Sequence, residues 1–178
     1  VPDRSKTPAL RAGTVDREKP YSFMLPPSWS ERKVANIQSG NYCQPRCAEP
    51  WTEVIFADDS EGKASVIVSP LVRLTNVKGA KLEDIGDPQG VITSLGPFIT
   101  GTYLDADDVL NVKSLQKDDG LTYYYYDIYA TYGLNGPHLL SSCTVKGDLA
   151  LLFTIAATDK QWPRAKAKLS KMRESFKA

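Results

Sequence analysis

Histidine is nearly absent: His138 is the single one among 178 residues. A three-histidine metal centre is therefore excluded, and a histidine-based triad would have to use that residue. Cysteine is scarce as well. Three residues are too few for a disulfide scaffold, and an odd number leaves one unpaired. Neither sign of charge is in excess, with 22 Lys plus Arg against 21 Asp plus Glu. That balance excludes a dedicated nucleic-acid binder, which carries a strong basic excess, and a disordered acidic or basic tail protein. Long apolar runs are missing too. Leu149-Ala150-Leu151-Leu152-Phe153 meets Thr154 before Ile155-Ala156-Ala157, far short of the roughly 20 residues of a spanning helix. The glycine-rich phosphate motifs and the Gly-x-Ser-x-Gly elbow do not occur, so neither nucleotide use nor hydrolase chemistry is expected.

What is present is the composition of an ordinary soluble domain, 42% apolar and 24% charged. The length fits one domain with a core of useful size. The chain begins Val1-Pro2, as expected of a processed or trimmed product. Residues 1–19 hold Pro2, Pro8, Gly13 and several Lys and Arg, and read as a flexible N-terminal arm. Residues 20–178 read as a single domain.

Tyr21, Phe23 and Leu25 alternate and predict a short strand stopped by Pro26-Pro27. Asn36 to Pro50 reads as an ordered loop. Trp51 to Ala57 and Ala64 to Val68 flank the polar Asp58–Gly62 segment and predict a hairpin. A helix is expected from about Pro88 to Leu95, with Gly96-Pro97 ending or breaking it. Asp108 to Leu115 and Leu121 to Tyr132 flank Lys117-Asp118-Asp119-Gly120, a strong hairpin signal. His138 to Val145 and Leu149 to Ala156 flank Lys146-Gly147-Asp148 and predict a third hairpin. The four tyrosines from Tyr123 to Tyr126 would then point alternately to opposite faces. The last segment is helical, capped by Thr158 or Asp159. Its apolar stripe is Trp162, Ala165, Leu169, Met172 and Phe176. Hairpins plus helices imply an α+β fold, an antiparallel sheet covered by helices.

The candidate chemical groups are few. His138 and Cys143 are five residues apart on one strand and so face opposite ways, which argues against a nucleophile–base pair. Asp105, Asp107 and Asp108 cluster, as do Asp58-Asp59-Glu61, but none fits the twelve-residue calcium loop, and solvated turns explain them. Cys43-Gln44-Pro45-Arg46-Cys47 is the sharpest local feature. A local Cys43–Cys47 disulfide closes a five-residue ring worth about 2 kcal/mol before strain. A long bridge from either residue to Cys143, a zinc site completed by His138, and free thiols are the alternatives. Lys160, Arg164, Lys168 and Lys171 lie off the apolar stripe of the last helix and, with His138, are the candidate partner-binding residues.

Two parts of the chain carry a family likeness. Gly136-Pro137-His138, Ser142-Cys143-Thr144-Val145-Lys146-Gly147-Asp148-Leu149, Phe153, Asp159-Lys160-Gln161-Trp162, Ala165 and Glu174-Ser175-Phe176 resemble the end of the PsbP family. Tyr21-Ser22-Phe23 and Pro26-Pro27-Ser28-Trp29 resemble its opening. The Cys43/Cys47 loop makes the chain resemble a PsbP-domain protein more than the oxygen-evolving-complex subunit itself. The resemblance implies an α/β/α sandwich with a central antiparallel sheet, of the PsbP/Mog1-like kind. It implies the chloroplast thylakoid lumen, peripheral to the membrane, and association with photosystem II or another thylakoid complex on the lumenal side. It implies no enzyme chemistry and no required cofactor, with calcium allowed at the acidic clusters. The expected role is a non-catalytic accessory protein in assembly, stability or oxygen-evolving-complex support. The alternative is a redox-responsive lumen protein whose Cys43–Cys47 disulfide regulates stability, with a thioredoxin-type reductant or oxidant as partner.

Overall fold

The structure, a computed structural model, describes residues 21–33, 51–71, 79–100, 104–133, 135–147 and 149–178. Its hairpins follow from local chemistry. In the Lys117–Leu121 turn, the Gly120 amide donates to the Lys117 carbonyl at 3.0 Å. The Asp119 carboxylate accepts the Leu121 amide at 2.9 Å. Such turn residues leave the flanking β-branched and aromatic runs free to pair. Seven strands result: β1 (Ser30–Arg32), β2 (Trp51–Asp58), β3 (Gly62–Pro70), β4 (Val109–Gln116), β5 (Thr122–Tyr129), β6 (His138–Lys146) and β7 (Leu149–Ala157). They form one sheet in the order β1-β2-β3-β7-β6-β5-β4, and every neighbouring pair is antiparallel.

The period-two pattern sorts side chains onto two faces. Tyr123, Tyr125, Leu151, Phe153 and Ile155 face a core shared with Ala165, Leu169, Met172 and Phe176 of the last helix, α3 (Trp162–Ser175). Tyr124, Tyr126, Cys143, Leu152 and Ala156 face a second core, beneath α1 (Leu82–Ile85) and α2 (Pro88–Thr100), with Leu82, Val91, Ile92 and Leu95. The expected sandwich is thus observed, with one sheet between two helical layers. Complete burial of each large apolar side chain contributes about 1.5–3 kcal/mol, and Phe153, Phe176, Leu151 and Ile155 are among those essentially removed from water.

Several local expectations are corrected. Tyr21–Leu25 is not a strand. It makes one antiparallel bridge, Ser22 with Lys177, and its alternation instead buries Tyr21 and Phe23 in the α3-side core. The edge strand is Ser30–Arg32, fully exposed and polar, paired with β2 from Ser30 opposite Ala57 to Arg32 opposite Ile55. The central helix does not end at Gly96-Pro97 but runs to Thr100 with Pro97 inside it. Gly96 is there for packing, because a Cβ at that position would sit 2.5 Å from the Leu104 side chain. β5 stops at Tyr129; Ala130 still donates to the Pro137 carbonyl at 2.8 Å, and Gly133 then donates to Ala130 at 2.9 Å to close a turn. The Asn36–Pro50 loop and the N-terminal arm lie outside the described residues.

Candidate functional site

α3 is the most firmly anchored surface element. At its start, the Thr158 hydroxyl accepts the Gln161 amide at 3.2 Å and the Gln161 side chain accepts the Thr158 amide at 2.9 Å. This reciprocal capping satisfies two donors that the first turn otherwise leaves open. Of the two residues expected to cap, Thr158 does so. Asp159 instead accepts a hydrogen bond from His138 Nε2 at 2.8 Å. The imidazole stacks parallel on Trp162 at 4.6 Å and meets the Tyr129 ring edge-on at 4.9 Å. At the helix end, Lys117 donates to the carbonyls of Glu174 and Phe176 at 2.7 and 2.6 Å. A cation there complements the negative end of the helix. Partial burial holds the Lys117 ammonium below the ordinary lysine range. On the sheet side, Arg173 is 9% exposed and donates to the Asp127 carboxylate and to the Tyr126 carbonyl.

The outer face is different in kind. The helix holds Arg164, Lys166, Lys168, Lys171 and Arg173 against Glu174 as its single carboxylate. Arg173 is spent inward, as above. Lys168 is engaged as well. Its ammonium donates to Glu61, which also accepts the Trp29 indole N–H at 2.8 Å. Lys160, Arg164, Lys166 and Lys171 are exposed and make no ion pair among the described residues. Arg164 and Lys171 are seven positions apart, so the helical repeat sets them on one row about 10 Å long, off the buried stripe, and Lys160 precedes them in the capping turn. Lys166 lies to one side, 6.0 Å from the Trp162 ring centre.

The remaining candidates are placed as follows. Asp105 and Asp108 serve their own 3-10 turn: the Asp108 carboxylate accepts the Asp105 amide at 3.2 Å and the Asp105 carboxylate accepts the Asp107 amide at 3.4 Å. Among the described residues, no three His, Cys, Asp or Glu side chains gather around a common point. His138 is half-buried, hydrogen-bonded to Asp159 and stacked on Trp162. Cys143 is a free, fully buried thiol whose pKa burial pushes up to about 12. It is therefore no nucleophile. Cys43 and Cys47 lie outside the described residues. The sequence reading found the basic row but missed Glu61, which removes Lys168 from it. It also missed Asp159, which takes His138. Neither carboxylate has a local signal, because the contacts span 107 and 21 residues.

Comparison with known proteins yields three findings. A PsbP match covers residues 13–178. The chain is 49% identical over 172 residues to PsbP domain-containing protein 6, chloroplastic, of Arabidopsis thaliana, covering 97% of this chain and 64% of that protein. It is 32% identical over 160 residues to PsbP domain-containing protein 4, chloroplastic, of the same plant, covering 89% of this chain and 55% of that one. The chain thus spans less than two thirds of either relative. The solution structure of cyanobacterial PsbP from Synechocystis sp. PCC 6803 superposes with a TM-score of 0.59 at 22% identity, over 92% of this chain and 89% of that one. That likeness is one of fold.

Proposed function

The chain belongs to the PsbP family, and from that membership we propose that it is a non-catalytic accessory protein of the chloroplast thylakoid lumen, docking on photosystem II to support its assembly or stability. The observation that carries the reading is the row of cations on the outer face of α3. Arg164 and Lys171, flanked by Lys166 and preceded by Lys160 in the capping turn, have no internal counter-charge among the described residues, on a helix fixed at both ends and along its buried stripe. Exposed unpaired charges on a rigid element steer association and set salt dependence. The chloroplastic relatives support the compartment. Among the described residues, no helix is long and apolar enough to cross a membrane, which suits peripheral attachment. The test is binding of the purified protein to photosystem II membranes stripped of their extrinsic subunits, across a salt series. Binding that weakens with salt and is lost on charge reversal at Arg164 and Lys171 supports the reading. Absence of binding at any salt sinks it.

A redox-responsive role is favoured by one observation. Cys143 is sealed in the core as a free thiol, which leaves Cys43 and Cys47 as the pair able to oxidise in a disulfide-permissive lumen. Melting curves with and without reductant test it. Identical curves remove a disulfide that regulates stability.

A further inference from the structure

The end of the sheet at which α3 begins carries a second, unlike surface. β5 ends at Tyr129, opposite His138 at the start of β6, which in turn lies opposite Ala157 at the end of β7. The connection from Ala130 to Pro137 is built as two successive turns, with Gly133 donating to Ala130 at 2.9 Å and Gly136 donating to Gly133 at 3.3 Å. A Cβ on Gly133 would lie 2.5 Å from the Gly136 carbonyl oxygen, and one on Gly136 would lie 2.3 Å from that of Ala157. Gly133 and Gly136 are therefore packed against backbone atoms. From it Tyr132 projects with 84% of its surface exposed. Leu110, 67% exposed, sits at the β4 bulge between the Val109–Ile128 and Asn111–Asp127 pairs, at the same end. Tyr132 and Leu110 are two of the three exposed large hydrophobic residues among those described. At the same end, half-buried His138 stacks on Trp162 and meets the Tyr129 ring edge-on. Lys166 over Trp162 and Lys160 in the capping turn then lead into the basic row.

We propose that this end is the specificity anchor of the docking surface, with Tyr132 seated in an apolar pocket of an acidic protein partner while the row along α3 meets its carboxylates. The proposal rests on the docking function put forward above. An exposed aromatic residue on a short connection, at the same end as polar and charged groups, has the form of an interface hot spot. Aromatic and apolar exposure continuous with unpaired cations calls for a partner that is apolar at one end of its footprint and acidic along the rest. A folded protein surface can hold an apolar pocket and a row of carboxylates in fixed register; a lipid interface, although it also accepts aromatic side chains, is fluid and fixes no such register.

The experiment uses the purified protein with two probes, stripped photosystem II membranes and phosphatidylcholine vesicles containing phosphatidylglycerol. Tyr132→Ala is expected to weaken membrane binding about tenfold or more, with an unchanged melting temperature and an unchanged salt dependence. Arg164→Glu with Lys171→Glu is expected to flatten the salt dependence. A photo-reactive benzoylphenylalanine at position 132 is expected to cross-link to a membrane protein, and one at exposed Glu83 on α1 is not. If Tyr132→Ala binds like the parent while the charge reversals abolish binding, the anchor is refuted and the docking function stands. Binding to vesicles as strong as to membranes, whether or not it depends on Tyr132, refutes the protein partner. Saturable binding to neither probe refutes both.

Discussion

Replacing Gly136 with alanine tests the backbone packing beneath the exposed loop. Gly136 has φ of +126°, a conformation that side-chain-bearing residues rarely adopt and that costs of order 1–3 kcal/mol. An added Cβ would also lie 2.3 Å from the Ala157 oxygen, 2.5 Å from its carbonyl carbon and 2.7 Å from the Thr158 nitrogen. All three are backbone atoms, set by the pairing of Ala157 with His138 and by the cap of α3, so they cannot swing aside as a side chain can. Overpacking of this kind adds about 1–3 kcal/mol. The total is about 2–6 kcal/mol, which for a domain of this size is a fall in melting temperature of roughly 5–20 °C. Gly147→Ala is the internal control. Its φ is +63° and nothing lies within 4 Å of the added methyl, so only the left-handed conformation is penalised, by about 1–2 kcal/mol. Thermal unfolding followed by circular dichroism reads both. Equal shifts in the two variants, or a Gly136→Ala protein melting within about 2 °C of the parent, would refute the packing argument.

Three further outcomes are expected. Thr158→Ala removes the hydroxyl that caps α3 and should cost about 1 kcal/mol in urea unfolding, whereas Asp159→Asn, which leaves the cap intact, should not. Thiol titration of unreduced native protein should find Cys143 silent, since it is buried with its pKa raised to about 12, and denaturant should reveal it; rapid labelling at Cys143 in the folded state would contradict the core placement. Burial pushes the Tyr125 phenol up to about 12 and raises Tyr123 and Tyr126 as well. Each folded-state pKa lies above its unfolded value near 10, so the native state holds protons that the unfolded chain releases. Stability is then complete below pH 10 and is lost as pH rises toward 12. Phenolate absorbance should show a late phase coinciding with unfolding, and a single early phase would argue against buried phenols.

Much of this fold was legible because its signals are local. Leu149, Leu151, Phe153 and Ile155 alternate, and Ala165, Leu169 and Met172 step with helical spacing, so each residue's side is set by near neighbours. The misread elements are those fixed by distant contacts. Ser30–Arg32 has no apolar pattern and is a strand because β2 offers it an edge. Tyr21 and Phe23 alternate like a strand, yet their partners are Phe176 and Phe153, at the far end of the chain. At the candidate site the cations of α3 could be read from the sequence, but which of them remain unpaired could not. Glu61 decides that for Lys168, and it comes from the β2–β3 turn. Tyr132 was placed within a strand, because Thr131-Tyr132 continues the β-forming run and the turn is imposed by the glycine contacts beyond it.

The strand order also dictates when the molecule can become complete. β1, β2 and β3 are joined in one antiparallel ribbon, β4 to β7 in another, and among the described residues the pairing between ribbons is β3 with β7, from Lys63 opposite Ala156 to Pro70 opposite Leu149. Closing that seam brings together residues about 80 to 90 positions apart, so its entropic cost precedes any gain from the contacts it makes. Because β7 is the last strand of the sheet, a chain made from its N-terminus holds Ala64-Ser65-Val66-Ile67-Val68 as an open, uncharged edge until almost the whole domain has appeared. Such an edge is a template for pairing with other chains. The seam at the centre of the finished sheet is thus the exposed margin of the unfinished one.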